Sequence, residues 1–320
     1  MTGHDNSSVE AVAASLPPTS RSEAGRSDDW TIAVIMPTLG RAATTRKSIG
    51  RLARQTRPPD RVLVVGVTEA DVAGLSEAGI KVEIHLAPRG SCSQRNHAIG
   101  LVEGDADLVL FMDDDFLPAD DYLANAERLL RDHPDIVGAC GRMIADGVGG
   151  PGIAFDDAVA LLAADRPPTD RDTVLKPLRG LYGCNMVIRA AAMKGLRFDE
   201  NLPLYGWQED VDFSHRVGAR GRLVKCADLS GVHMGEKAGR SSGKRLGYSQ
   251  IANPIYLMRK RSIPRDLAWR LMRVNLASNL VRSVWPEPFI DRRGRVLGNL
   301  LALRDLATNR LDPRRILELD

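Results

Sequence analysis

The chain has 320 residues, of which 43% are hydrophobic and 27% are charged, and its formal net charge at pH 7 is +3. This composition excludes a disordered or fibrous protein and supplies the core of one large domain, or of one domain with an appendage. The four cysteines lack the spacing of a metal site or a disulfide framework, and no apolar run is long enough to cross a bilayer. We therefore expect a cytoplasmic protein that does not span a membrane.

The first 29 residues are rich in Ser, Asp, Ala and Pro. They lack the basic start and the apolar run of a secretory signal. We predict a mobile tail over residues 1–29.

Short apolar runs then alternate with helical patterns up to residue 112. Residues 30–36 form a continuous apolar run that ends at Pro37, and residues 61–67 and 107–112 repeat this pattern. Such runs are typical of strands buried on both faces of a parallel sheet. A weaker strand is expected at 80–86, and helices are expected at 44–55 and 93–101. The alternation predicts an α/β fold with an open, doubly wound mixed sheet, whose ligands bind at the carboxyl ends of the strands.

The second half of the sequence is more mixed. A helix is predicted up to residue 132, followed by a strand at 136–143, a glycine-rich stretch at 147–152 and a strand at 184–189. Two further helices are predicted at 264–285 and 296–307.

Three carboxylates, Asp113, Asp114 and Asp115, directly follow the apolar run at 107–112. Their mutual repulsion at the edge of the sheet is relieved by a divalent cation. Mg²⁺ and Mn²⁺ prefer one or two carboxylates together with phosphate oxygens, so the cluster predicts a nucleotide diphosphate as the other ligand. From the triplet alone, an exposed acidic turn that caps the next helix is an equal alternative.

Residues 32–240 resemble the inverting glycosyltransferases of family 2, which have the nucleotide-sugar-binding fold called GT-A. The first strand and nucleotide loop are similar to IMPTLGR at 35–41, and the second strand with its lead-in is similar to QTRPPDRVLVV at 55–65. The other similar segments are RNHAIG at 95–100, the Asp-x-Asp motif DDD at 113–115, GCNMVIR at 183–189 and the Glu-Asp motif WQEDVDF at 207–213.

The resemblance implies a role for each matching position. Asp113 contacts the ribose side of the nucleotide and shares the metal with Asp115, and Asp114 shares either task. In the Glu-Asp motif, Asp210 is the general base on the acceptor hydroxyl, with Glu209 as the second choice. The remaining implied residues are Pro37, Thr38, Arg41, Arg95 and Asn96 on the donor side and Asn185 and Trp207 on the acceptor side.

Chemistry supports this assignment, because inversion by direct displacement needs a carboxylate near the acceptor oxygen and a stabiliser for the departing diphosphate. Without the acidic triplet, the Glu-Asp motif would also be explained as a favourable partner of a helix N-terminus.

His233 lies where many relatives of the family place a metal or pyrophosphate ligand. A lone histidine is more often structural. Here it precedes a loop in which four glycines alternate with basic residues that could close over a diphosphate. We therefore predict His233 as a metal ligand and Lys237 and Arg240 as donor-binding residues.

The chain departs from the family pattern after the second strand. Relatives place an acidic pair there to recognise the nucleotide base, whereas the first carboxylate here is Glu69. The base of the donor nucleotide is therefore left open.

The C-terminal part is basic, with 17 Lys and Arg against 7 Asp and Glu from residue 240 to residue 320. In the helix predicted at 264–285, a stripe of Leu267, Leu271, Val274, Val281 and Trp285 is flanked by arginines. This helix could lie on an anionic membrane, such as the inner face of the cell membrane, and bring the enzyme to a lipid-linked acceptor. Packing of the stripe onto the catalytic domain is an equal alternative.

Together, these observations predict a mobile tail, a catalytic domain at 30–245 and a basic helical region at 246–320. The predicted enzyme uses Mg²⁺ or Mn²⁺ to transfer a sugar from a nucleotide diphosphate to a hydroxyl of a glycan or lipid-linked saccharide. A magnesium-dependent nucleotidyltransferase and a non-catalytic binder of anionic surfaces are the alternatives. We expect no nucleic-acid partner, because the aromatic content of 5% supplies few platforms for base stacking.

Overall fold

A computed structural model describes residues 29–166, 174–237, 242–285 and 287–320. All of the predicted N-terminal tail except residue 29 lies outside these ranges. The strands are β1 Ile32–Pro37, β2 Arg61–Gly66, β3 Glu83–Leu86, β4 Leu108–Met112, β5 Phe116–Pro118, β6 Ile136–Asp146, β7 Val174–Pro177, β8 Asn185–Arg189 and β9 Arg222–His233.

Helices cover the sheet and form a C-terminal group. They are α1 Ala42–Leu52, α2 Ser91–Val102, α3 Tyr122–Asp132, α4 Phe155–Ala164, α5 Ala190–Met193, α6 Glu209–Gly218, α7 Gly243–Arg259, α8 Arg265–Val284 and α9 Arg292–Ala307. A 3₁₀ helix, Pro313–Glu318, lies near the end of the chain.

The described strands form one mixed sheet in the order β3-β2-β1-β4-β8-β6-β9-β5, with β7 pairing with β9. The first four strands of this order are parallel. Strand β8 then runs antiparallel to both β4 and β6. The predicted α/β fold with a doubly wound mixed sheet is therefore confirmed.

The apolar runs give strands buried on both faces because successive side chains point to opposite sides. In β1, Ala33 and Ile35 join one apolar core, and Val34 and Met36 join the other. Helix α2 covers the first core, and α1 covers the second. The parallel half of the sheet is thus closed from both sides, and ligands have access only at its edges.

Parallel pairing brings the carboxyl ends of β1 and β4 to the same edge of the sheet. Ile35 lies beside Phe111, so the loop after β1 and the residues after β4 leave the sheet together. Thr38 extends the β1–β2 pairing by donating its backbone N–H to the Val65 carbonyl at 3.0 Å. This edge carries the acidic triplet.

The C-terminal helices were only partly predicted from the sequence, because α7 was not identified there. Helix α7 contributes Leu257 to the apolar core that α2 covers. Its Tyr248 and Ile251 pack with Met272 of α8 and Ala302 of α9 in a separate small core. Helix α8 contributes Ala268 to the apolar core that α2 covers. None of the helices in the described ranges combines the length and the apolar character needed to cross a membrane.

Candidate active site

A cleft of about 310 Å³ opens at the carboxyl ends of β1 and β4. Five segments line it: the loop after β1, the start of α2, Asp113, the turn before β8, and the stretch from Leu204 to Val211 at the start of α6. Leu271 of α8 closes one side. Elements far apart in sequence therefore meet at the edge predicted for ligand binding.

The cluster most suited to a metal lies at one end of this cleft. One ligand atom from each of Asp113, Asp115 and His233 lies within 4.8 Å of the other two. Asp115 and His233 are nearly inaccessible to solvent, and His233 Nε2 lies 3.3 Å from Asp115 Oδ1. Two carboxylate oxygens and one imidazole nitrogen are a donor set that can hold a divalent cation.

Two residues that the sequence analysis did not identify hold the His233 ring. Asp146 Oδ1 lies 3.1 Å from His233 Nδ1, and Tyr182 Oη donates to Asp146 Oδ2 at 3.1 Å. With its proton on Nδ1, the ring directs Nε2 towards Asp115, in the arrangement by which a carboxylate orients a metal-binding histidine. Burial lowers the pKa of His233, but the hydrogen bonds to Asp115 and Asp146 outweigh it and raise that pKa to about 10.

The pKa of Asp115 is shifted in the opposite direction from that of an isolated buried carboxylate. Burial alone would raise its pKa, but His233, Arg41 and the backbone N–H of Glu236 bring that pKa down to about 2. Asp115 is therefore an anion at neutral pH, as a metal ligand must be.

The middle carboxylate of the triplet points away from this cluster. Asp114 is fully buried, accepts a hydrogen bond from Thr38 Oγ1 at 2.7 Å and lies 2.8 Å from Arg41 Nη2. Ser48 also donates to its backbone carbonyl. Asp114 thus fixes the loop after β1 and holds Arg41 at the edge of the cleft.

Arg95 connects the cluster of Asp113, Asp115 and His233 to the other end of the cleft. Its guanidinium is buried and donates to Asp113 Oδ1 at 3.0 Å and to Glu209 Oε1. It also donates to the Gly183 carbonyl at 3.3 Å. The bridge fixes Asp113 relative to the start of α6.

The other end of the cleft carries Glu209 and Asp210 at the N-terminus of α6. Glu209 is occupied by Arg95, whereas Asp210 accepts a hydrogen bond from the backbone N–H of Gly183 at 2.9 Å. A Cβ on Gly183 would lie 3.1 Å from Asp210 Oδ2, so only glycine allows this approach without displacing the carboxylate. Gln208, just before, has a φ of 72°, a strained left-handed conformation of the kind often found at functional sites.

Both of these carboxylates hold their protons more tightly than usual. Burial and the neighbouring charge of Asp210 raise the pKa of Glu209 to about 8. Burial also raises the pKa of Asp210, although the N–H groups of Gly183 and Val211 oppose the increase. A carboxylate with a raised pKa is a better proton acceptor at neutral pH.

Most of the residues predicted on the donor side line the cleft: Pro37, Thr38, Arg41, Arg95 and Asp113. The Asn96 side chain instead bonds to the backbone of Phe198 and to Glu200. Lys237 Nζ donates to the carbonyls of Gly147 and Val148 at 3.1 and 3.0 Å. Arg240 lies outside the described residues.

The two residues predicted on the acceptor side are placed differently. Trp207 lines the cleft. Asn185 is fully buried in β8, beside Met112 of β4. Between them, only Trp207 is positioned to touch a ligand in this cleft.

The loops after β1 and β2 are tied together by polar residues without a recognisable motif. Gln94 Nε2 donates to the carbonyls of Thr38 and Val65 at 2.9 and 2.6 Å. Asp71, which follows β2, accepts the backbone N–H of Gly40 at 2.6 Å. Asp71 therefore stabilises the loop after β1 through its bond to Gly40.

A sequence model of the family described as "Glycosyl transferase family 2" matches residues 33–196. Comparison with curated proteins gave no match.

Solved structures match over most of the chain at low identity. The mannosyltransferase PcManGT from Pyrobaculum calidifontis, in complex with GDP-Man and Mn²⁺, is 17% identical, with 90% of this chain and 78% of that chain covered and a TM-score of 0.53. S. aureus TarS 1–349 in complex with UDP-GlcNAc is 15% identical, with 90% of each chain covered and a TM-score of 0.52. The chain spans 40% of a longer S. aureus TarS structure. At these identities the structural matches show the fold alone.

Proposed function

The chain belongs to glycosyl transferase family 2, and from this premise we propose that it transfers a sugar, with inversion, from a nucleoside diphosphate to a hydroxyl group. We assign the catalytic domain to residues 30–245 and the basic helical region to residues 246–320. The observation that carries the proposal is the convergence of Asp113, Asp115 and His233 at a cleft that also contains Asp210.

The donor diphosphate is proposed to bind at the metal end of the cleft. Asp113, Asp115 and His233 would hold a divalent cation, which supplies positive charge to the departing diphosphate when it is bound. Arg41 lies beside this cluster, 3.3 Å from Asp115 Oδ2, and offers a guanidinium to phosphate oxygens. Pro37 and Thr38 shape the loop against which the nucleotide lies.

Asp210 is proposed as the general base. Glu209 is engaged by Arg95 through Oε1, whereas Asp210 faces the cleft and accepts a hydrogen bond from the backbone N–H of Gly183. Its raised pKa makes it able to take the proton of the attacking hydroxyl as the new glycosidic bond forms and the bond to the diphosphate breaks.

The acceptor is proposed to bind along residues 204–208. Trp207 Nε1 and both polar atoms of the buried Gln208 side chain have no hydrogen-bond partner among the described residues, and both residues line the cleft. Buried polar atoms of this kind are costly unless a ligand satisfies them. A hydroxyl-rich glycan or lipid-linked saccharide supplies such hydrogen-bonding groups. The cytoplasmic location of the protein stays a prediction.

Thermal denaturation with a panel of nucleotides, with and without Mn²⁺, tests the proposal. We expect one nucleoside diphosphate to stabilise the chain only when Mn²⁺ is present, and the matching nucleotide sugar to be turned over with release of that diphosphate. Stabilisation by a triphosphate instead would indicate a nucleotidyltransferase. A chain that responds to neither metal nor nucleotide would refute the assignment.

A further inference from the structure

The C-terminal helices expose an unusual amount of apolar surface. Sixteen large apolar side chains in the described ranges are exposed, and ten of them fall between Trp269 and Leu303. Trp285 is 80% exposed, Val281 67% and Trp269 52%. We call the exposed apolar side chains of residues 269–303 the C-terminal apolar face. Exposed apolar side chains concentrated in one region in this way often mark an interaction site.

The structure divides the apolar stripe that the sequence predicts on α8. The stripe was expected either to lie on a membrane or to pack onto the catalytic domain. Leu267 packs against the apolar core that α2 covers, and Leu271 lines the cleft. Val274, Val281 and Trp285 are exposed to solvent. The inner part of the helix is therefore satisfied, and the outer part lacks a partner among the described residues.

The positive charge of the same region indicates that its partner is anionic. Residues 265–310 contain nine arginines against four carboxylates, a net charge of +5. Arg270 and Arg273 are exposed on α8 next to the apolar side chains. This combination of arginine, tryptophan and aliphatic side chains suits the interface of an anionic lipid bilayer.

The four carboxylates are already engaged within the chain. Asp266 pairs with Arg179, Glu287 with Arg282 and Arg292, and Asp305 with Arg315. Asp291 caps the N-terminus of α9. A second copy of the chain on this face would set arginines against arginines, which is unfavourable in a symmetric interface. The charge pattern thus favours an anionic surface over self-association.

We propose that the C-terminal apolar face docks on the surface of an anionic phospholipid membrane. Apolar side chains enter the interfacial layer, and the arginines contact lipid phosphates. Helix α8 then lies between the membrane and the cleft, because Leu271 of the same helix lines the cleft. A helix is about 10 Å across, so the docked membrane would lie about one helix diameter from the cleft.

Flotation of the full-length chain with lipid vesicles tests this proposal without nucleotide or metal, so its outcome is independent of the proposed catalysis. Vesicles of phosphatidylcholine alone are compared with vesicles in which one quarter of the lipid is phosphatidylglycerol. We expect binding to the anionic vesicles to be at least about tenfold stronger and to weaken as salt is added.

A double variant, Val281→Asp with Trp285→Ser, removes two of the most exposed side chains of the face. We expect about a tenfold loss of vesicle binding or more, with an unchanged circular dichroism spectrum and melting temperature. Leu317→Ser is the matched control, because Leu317 is also exposed but lies in the 3₁₀ helix near the C-terminus, and it should bind as the unmodified chain does.

Three outcomes would overturn the proposal. The chain could fail to bind anionic vesicles, or the control could lose binding as much as the double variant does. Light scattering could also show a dimer that the double variant dissociates, which would make the face a subunit interface.

Discussion

The two ends of the cleft use the same kind of side chain for opposite purposes. At the metal end, His233 and Arg41 keep the pKa of Asp115 at about 2, so this carboxylate is permanently an anion. At the other end, burial raises the pKa of Glu209 to about 8 and also raises that of Asp210. Surroundings that separate the pKa values of neighbouring acids are what assign them to different catalytic tasks.

Arg95 links the two ends of the cleft. It lies between the two ends, bound to Asp113 on one side and to Glu209 on the other, and so occupies one carboxylate of each pair. Asp115, a proposed metal ligand, and Asp210, the proposed base, are not bound by Arg95. This division predicts that substitutions at the two ends impair different steps.

The largest effect on turnover is expected at Asp210, the proposed general base. Asp210→Asn keeps the shape of the side chain but removes its ability to accept a proton, so we expect donor turnover to fall about 10³-fold. Metal-dependent nucleotide binding should persist, because Asp210 lies away from the metal cluster. Release of nucleoside diphosphate measures turnover, and a thermal shift with Mn²⁺ measures binding.

The control for this variant is Asp157→Asn, an exposed carboxylate at the start of α4. If Asp210→Asn retained turnover while Glu209→Gln lost it, the base would be Glu209 and the contrast drawn within the Glu-Asp pair would be wrong.

The next largest effect is expected at the metal end. Asp115→Ala removes a proposed ligand and leaves His233 Nε2 without its carboxylate partner, so we expect the apparent affinity for Mn²⁺ to fall about a hundredfold or more. Nucleoside diphosphate should then no longer stabilise the chain when Mn²⁺ is added. Isothermal titration with Mn²⁺ measures the loss, and unchanged Mn²⁺ affinity would place the metal elsewhere.

The sequence predicted the parts of this arrangement that depend on local pattern. The apolar runs before Pro37 and Asp113 identified β1 and β4, and their parallel pairing fixed the edge at which the triplet lies. The direction of Asp114 was beyond the pattern, because three consecutive residues leave the strand in a turn whose geometry decides where each side chain points. In the structure, Thr38 and Arg41 draw Asp114 away from the metal cluster.

Asp146 was not identified for a different reason. It meets His233 through the parallel pairing of β6 with β9, in which Asp146 lies opposite His233 after three register irregularities. Gly147 and Gly235 permit this approach, since a Cβ on Gly147 would lie 2.0 Å from the Met234 carbonyl oxygen. Long-range register of this kind has no local signal in the sequence.

The contrast between the two ends also predicts a pH dependence. The base must be deprotonated to act, and burial raises the pKa of Asp210, so turnover should fall about tenfold per pH unit below a midpoint higher than that of an ordinary carboxylate. Turnover must be measured at saturating Mn²⁺, because His233, with a pKa of about 10, has to release a proton to ligate a cation. A rate that stays constant down to about pH 4 would show that no raised carboxylate is involved.

The smallest effect is expected where a residue acts through His233. Asp146→Ala removes the acceptor that orients the imidazole, and we expect the apparent Mn²⁺ affinity to fall about tenfold. Tyr182→Phe removes the hydrogen bond to Asp146 and the 3.4 Å contact with His233 Nδ1 but keeps the Asp146 carboxylate, so it should cost less. Asp146→Asn should lie between the two because it still accepts from Nδ1. A purely structural role for Asp146 would lower the melting temperature without changing the Mn²⁺ titration. A graded loss of Mn²⁺ affinity at constant stability would show that the metal end depends on this pair of residues from β6 and the turn before β8.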